Sequence, residues 1–289
     1  MIYNYDLNIA GLLLRVSSSF ELTNFHELSP FIAPYDPGRP PNALYDIQIL
    51  PASWTVLGQK IAEDAHSVLY RWKNELHRYY FWSLDSRDRY VLTKYKEDAP
   101  EQQTIFLQAD TLDRILPQFR LAAFLSPERL LMQKRGIMLH AALVDWNSKG
   151  ILFVGPSGIG KSTQAQLWTA LEGAQILNGD RAILRYQDGQ YVAWGSPYAG
   201  TSRIYQNRCV SVETIVILSQ GPENILKPVG GVQAISKILR ECTALTWNHA
   251  FMSSLMDELM SIVQKIPVYH LTCTPDHRAV DILKQELKK

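Results

Sequence analysis

Cysteine is scarce in this chain, and neither sign of charge is in excess. Cys209, Cys242 and Cys273 are the three cysteines of a 289-residue sequence, and no two share CxxC spacing. An odd, scattered set excludes a disulfide-stapled scaffold and a zinc knuckle, leaving reduced thiols. Lys plus Arg number 29 against 28 Asp plus Glu, a formal net charge of +1. That balance gives no electrostatic pull towards nucleic acid or an anionic membrane, so neither is expected as a partner. No apolar run reaches the roughly 18 residues that a membrane helix needs. The opening stretch MIYNYDLNIAGLLLRV lacks a basic segment ahead of a long apolar one. A secretion signal is therefore not expected, and a cytoplasmic location is. Internal repeats and low-complexity tracts are missing as well. What is present is 46% hydrophobic and 20% charged residues, enough for a sizeable core in one large or two ordinary domains.

Two composition regimes follow one another. Residues 1–110 carry aromatic-rich alternating runs: Leu44–Leu50, Ser67–Asn74, Arg78–Leu84, Arg89–Tyr95 and Gln103–Ala109. Separated by Asp, Asn and Ser, they predict strands joined by hairpins, hence a smaller antiparallel β-rich N-terminal domain. The stretch Ala33–Ala43, with four prolines and one glycine, must be a loop, because proline cannot donate to a strand ladder. Residues 111–289 read as a helical connector followed by an α/β domain. The connector spans Asp110–Arg135, where Ser126 and Pro127 suit the start of its second helix. Beyond it come two apolar strands around the turn NSK, a glycine-rich loop, the helix STQAQLWTALEG, and strands hinged at Asp188–Gly189. A strand at Glu213–Gln220, three helices and the strand Val268–Cys273 complete the pattern.

The glycine-rich loop GPSGIGKST, Gly155–Thr163, fits G-x-x-x-x-G-K-[ST] and stands between strand and helix, as a phosphate loop must. Gly155, Gly158 and Gly160 let backbone amides converge on phosphate oxygens, with Pro156, Ser157 and Ile159 completing the turn. The helix adds its unpaired amides and positive dipole end. Lys161 supplies a point charge for the β- and γ-phosphates, Ser162 a hydroxyl for Mg²⁺, and Thr163 a further donor. A nucleoside triphosphate is the ligand this arrangement predicts.

Phosphoryl transfer needs a carboxylate besides. Asp180 in QILNGDRAIL lies nineteen residues after Lys161. One helix of return places it at the end of a neighbouring strand, beside the loop, as metal ligand or base. The same NGD tripeptide also suits a plain turn. Asp145 and Asp188 fall in evident turns. His140, in the strand before the loop strand, is a lone histidine among apolar residues, a pattern that by spacing alone suits a core residue, with a role as the base instead of Asp180 as the alternative. His270, on an apolar strand, is expected to be structural. The glycines, hydroxyls and arginine of WGSPYAGTSRIYQN suit a phosphate or acceptor clamp, with Ser196, Gly200, Thr201, Ser202 and Arg203 as candidates.

The segment MLHAALVDWNSKGILFVGPSGIGKSTQAQLW, with GAQILNGDRAIL after it, resembles the catalytic domain of HPr kinase/phosphorylase. The likeness is good over roughly residues 135–184 and loose beyond, and it does not reach the N-terminal half. It implies a P-loop kinase fold of the HPr kinase and PEP-carboxykinase kind. By position His140 matches the family histidine, Gly155–Ser162 the loop, and Asp180 the second of an aspartate pair. Gly179 replaces the first aspartate, and WGSPYAGTSRIYQN stands where the bifunctional enzymes carry a glycine-rich signature. Both departures speak against phosphorolysis and against HPr as acceptor. The pattern is more similar to peptide-tailoring kinases of the lasso-peptide type. That resemblance implies an ATP-dependent, Mg²⁺-requiring kinase that phosphorylates a hydroxyl of a peptide or small molecule, and a homo-oligomer is plausible by family habit. A non-catalytic ATP-binding sensor and a PEP-carboxykinase-like enzyme are the alternatives.

Overall fold

A computed structural model describes residues 1–23, 25–50, 55–81, 89–116 and 120–289. The chain is a mixed α/β protein with two multi-stranded sheets, and it divides into the compact units Met1–Leu130 and Leu131–Lys289. The boundary expected near residue 110 thus falls inside the first unit. Its connector packs there: Phe124 sets its ring edge-on to Tyr80 at 4.9 Å.

Among the described residues, the first unit forms one sheet of nine strands. They are β1 (Tyr3–Ile9), β2 (Leu12–Ser18), β3 (Ile32–Ala33), β4 (Ala43–Leu50), β5 (Gln59–Glu63), β6 (Ser67–Trp72), β7 (Glu75–Phe81), β8 (Arg89–Lys96) and β9 (Gln102–Gln108), in the spatial order β3-β1-β2-β4-β9-β8-β7-β6-β5. Alternation decides which face is buried: Ala43, Tyr45 and Ile47 of β4 point inward beside Ile105 and Leu107 of β9. The sheet is mixed, which corrects the expectation of an antiparallel domain. Strand β4 runs parallel to both β2 and β9. The proline-rich segment returns the chain to the start of the sheet, and the β5–β8 meander fills the crossover to β9. Helix α1 (Leu112–Ile115) and a 3₁₀ turn at Leu121–Phe124 replace the long first connector helix. Residues 82–84 of the expected strand and 117–119 of that helix lie outside the described residues. Helix α2 (Glu128–Gln133) begins just past Pro127.

The second unit is built on two long strands. Strand β10 (Gly136–Trp146) pairs through residues 136–140 with β13 (Arg181–Gln187), and through residues 141–146 with β11 (Lys149–Val154). Strand β15 (Cys209–Gln220) pairs with β14 (Gln190–Trp194) at its start, then runs parallel to β11 and to β17 (Val268–Cys273). The path β11-β10-β13-β14-β15 closes because β15 returns to β11. Strand β12 (Gln175–Asn178) pairs with the outer side of β10, and the short β16 (Ile225–Pro228) edges β17.

Apolar residues fill both faces of the central strands, so helices must cover both. On one face α3 (Lys161–Glu172) and α6 (His277–Leu287) bury Trp168, Ala279, Val280 and Leu283 against Val144, Ile151 and Phe153. On the other, α4 (Gly231–Leu239) and α5 (His249–Lys265) bury Ile238, Leu255, Leu259 and Ile262 against Leu139, Leu143 and Leu152. Asn248 and Asp276 cap α5 and α6 by accepting from the amides of Phe251 and Arg278, each at 2.9 Å. The three cysteines are free thiols. No described helix is long and apolar enough to cross a membrane.

Candidate functional site

The site is assembled where β11 ends. Its fully buried run Ile151–Val154 anchors the glycine-rich loop at one end, and α3 anchors it at the other. Gly158 and Gly160 have φ of +79° and +115°, values that a side chain resists, so glycine is required at both. Gly160 is the N-cap residue of α3, and the first amides of that helix lack intrahelical acceptors. Ser157, Gly158, Gly160, Lys161, Ser162 and Thr163 line a cavity of about 230 Å³. Gly155, Pro156 and Ile159 do not line it. The carbonyls of Gly155 and Pro156 accept from the Lys161 ammonium at 2.7 and 3.0 Å, and Ile159 packs into the core beneath. The Gln220 side-chain amide steadies the loop tip by donating to the Gly158 carbonyl at 3.2 Å. Lys161 is only 6% exposed. Burial pushes its ammonium below the ordinary lysine range, while Glu241 and Asp180 pull it back up.

The opposite wall carries His140, Gly179 and Asp180. Asp180 arrives by a different route from the one expected. Its strand, β12, borders β10 rather than β11, because the antiparallel β10 is inserted between them. Asn178, fully buried, then bends the chain: its Oδ1 accepts from the amides of Asp180 at 2.9 Å and Arg181 at 2.7 Å. The Asp180 carbonyl accepts from the Ala141 amide at 2.8 Å. These bonds hold Asp180 beside His140, the residue at which β10 leaves β13 for β11.

His140 Nε2 stands 3.4 Å from Asp180 Oδ1, and its Nδ1 is 3.0 Å from Glu241 Oε2. Arg181 Nε lies 3.7 Å from the other Asp180 oxygen. The His140 contact holds the Asp180 carboxyl below the usual carboxylate range, Arg181 and Lys161 add to it, and burial opposes them. The cavity is therefore polar and partly closed, with cationic loop and helix groups facing one carboxylate and one imidazole.

The clamp candidates divide. Thr201 and Ser202 line the cavity. Gly200, at φ +55°, backs directly onto Asp180: a Cβ there would come 2.8 Å from the carboxyl carbon. Ser196 and Arg203 do not line the cavity. Ser196 is fully buried and its hydroxyl is used internally, donating to the Arg181 carbonyl and accepting from Asn178 Nδ2. Arg203 is exposed, follows the 3₁₀ turn Gly200–Ser202, and does not line the cavity. Asn178 and Glu241 are the residues the sequence reading passed over. Asn178 carried a signal, since Asx side chains commonly accept amides two residues on. Glu241 carried none.

A bound Mg²⁺ takes oxygen ligands from one or two carboxylates, with phosphate and water for the rest. Ser162 and Asp180 on facing walls suit that set. No cluster of three or more His, Cys, Asp or Glu fit to hold a metal occurs among the described residues.

Residues 109–285 match the protein-family model described as "SynChlorMet cassette protein ScmC", more than half of the chain. No curated protein matches the sequence. One similar solved structure is the Hpr(Ser) kinase/phosphatase from Coxiella burnetii, at 14% identity and a TM-score of 0.31, with 53% of this chain and 99% of that one covered.

Proposed function

The chain belongs to the SynChlorMet cassette protein ScmC family, and we propose that it is a phosphotransferase moving the γ-phosphoryl group of ATP to an alcohol hydroxyl. The observation that carries this reading is one cavity shared by the Gly158–Thr163 loop and helix start and the Asp180–His140 pair.

In this reading the loop amides and the dipole of α3 bind the triphosphate, and Lys161 leaves the Gly155 and Pro156 carbonyls to meet it. Ser162 and Asp180 would hold Mg²⁺, which when bound would supply charge neutralisation for the phosphates. The acceptor hydroxyl oxygen forms a bond to the γ-phosphorus while the bond to the bridging oxygen breaks and ADP leaves. The hydroxyl proton passes to the Asp180–His140 pair. Thr201 offers a hydroxyl to the acceptor or to the transferring group, and Ser202 lines the cavity with its own hydroxyl given to the Ala199 carbonyl. Positioning and charge neutralisation supply most of the rate, since little covalent chemistry falls to the protein. The acceptor is a serine or threonine of a peptide, or a small-molecule alcohol.

Incubation with γ-labelled ATP and Mg²⁺ over a panel of peptides, amino acids, sugars and polyols tests the reading. Mass spectrometry should find one added phosphoryl group on a hydroxyl acceptor. Tight ATP binding without loss of phosphoryl over hours, across the whole panel, would favour a nucleotide sensor instead.

A further inference from the structure

Glu241 belongs to no motif, yet it makes the shortest polar contact of His140. It follows α4, where the amides of Glu241 and Cys242 bond back to the Ile238 and Leu239 carbonyls at 2.9 and 3.2 Å. The chain then lies against β10 through an isolated bridge. His140 donates its amide to the Glu241 carbonyl at 2.7 Å, Leu139 pairs with Cys242, and the Thr243 amide donates to the Met138 carbonyl at 2.9 Å. Arg181, next to Asp180, donates from Nη1 to the Thr243 hydroxyl at 2.9 Å. The segment 241–243 is thus fixed on both sides of the histidine. The Glu241 side chain is 12% exposed and meets Nδ1 at 3.0 Å.

We infer that Glu241 is a positioning residue: by accepting the Nδ1 proton of His140 it fixes the ring plane, so that Nε2 faces Asp180 and the cavity. This rests on the phosphotransferase reading for its consequence, but not for its geometry. An imidazole has two nitrogens, and the partner of one decides what the other presents. With Nδ1 held by Glu241, Nε2 is kept against Asp180 at the cavity wall, where the pair would receive the hydroxyl proton. The arrangement also suits the chain's own departure from a paired-aspartate site. Position 179 is glycine, so the second carboxylate comes from the far side of the imidazole rather than from the neighbouring residue.

Two measurements test this. In single-turnover transfer, Glu241→Ala should slow the step roughly ten- to a hundredfold with the ATP dissociation constant moved no more than about threefold, Glu241 being coupled to Lys161. Glu241→Gln, which keeps an acceptor oxygen, should recover most of that loss. In a His140→Ala background, Glu241→Ala should cost little more. Equal losses from Glu241→Ala with and without His140 would overturn the inference. Nitrogen-15 histidine NMR needs no turnover, so it decides even if no acceptor is ever phosphorylated. The His140 signal, assigned by its absence in His140→Ala, should show a protonated, hydrogen-bonded Nδ1 that is released in Glu241→Ala. A wild-type Nδ1 without a proton would overturn the inference and leave the phosphotransferase reading standing.

Discussion

Ser202 occupies the space that any side chain at position 179 would need. A Cβ built on Gly179 would overlap both the Cβ and the Oγ of Ser202, whose hydroxyl donates to the Ala199 carbonyl at 2.6 Å. The glycine in NGD is therefore a packing requirement of the loop that carries Thr201 and Ser202 to the cavity. Gly179→Ala should cost about 1–3 kcal/mol of unfolding free energy, as overpacking does, and adding Ser202→Gly should recover most of it. Urea titration of the single and double variants measures this. An unchanged midpoint in Gly179→Ala would contradict the packing.

Lys161 is the cation of the loop, and its loss should be felt in binding before chemistry. A charge-assisted bond contributes about 1.5–3 kcal/mol. Lys161→Ala should therefore raise the ATP dissociation constant roughly ten- to a hundredfold, as read by calorimetry. Because burial lowers its protonation range, Lys161 should also acylate at lower pH than surface lysines, and ATP with Mg²⁺ should protect it. Modification unaffected by saturating ATP would place the nucleotide elsewhere.

The Asp180 carboxyl titrates below its ordinary value of 3.8 because of His140, with Arg181 and Lys161 adding. The sign follows from linkage. A carboxylate depressed in the folded state adds stability above its unfolded value, and loses it as pH falls through the folded value. Without nucleotide or magnesium, wild type should exceed Asp180→Asn in stability from neutral pH down to about pH 4. The gap should close below that. Paired urea titrations across pH are the check, and a gap independent of pH would contradict the ion-pair environment.

Cys242 reports on whether the segment carrying Glu241 is docked. Burial pushes its thiol up to about 12, so it stays protonated and slow towards disulfide reagents near pH 8. Cys209 is exposed and should react first. Mapping the modified cysteine by mass spectrometry after brief labelling tests this, and rapid labelling of Cys242 would mean that residues 241–243 are not held against β10.

Much of the second unit could be read from the chain because its local signals agree. Asn147–Ser148 and Asp188–Gly189 are two-residue turns with positive φ throughout, and the runs around them are clean strands. The helix after Lys161 is closed by Gly173 in the left-handed region. Pairing direction was not legible. Whether β4 lies parallel to β2 depends on the path of residues 19–42, not on alternation. Strands β1 and β2 escaped notice because the run GLLLRV blurs their period, and β16 because ILKP is short and ends in proline. At the candidate site, motif and spacing pointed to Lys161 and Asp180, and the family resemblance to His140. Glu241 lies 101 positions from His140 and reaches it only through tertiary packing. The burial of Ser196 was not legible, because a hydroxyl in a glycine-rich stretch looks alike whether it is buried or open.

The central claim is that the loop holds the nucleotide while Asp180 serves the transfer, and Asp180→Asn separates the two. Its ATP affinity should stay within a few-fold of wild type, while single-turnover transfer to a wild-type acceptor should fall by at least a hundredfold, the scale of a lost positioned acid–base group. Full transfer by Asp180→Asn would contradict the account.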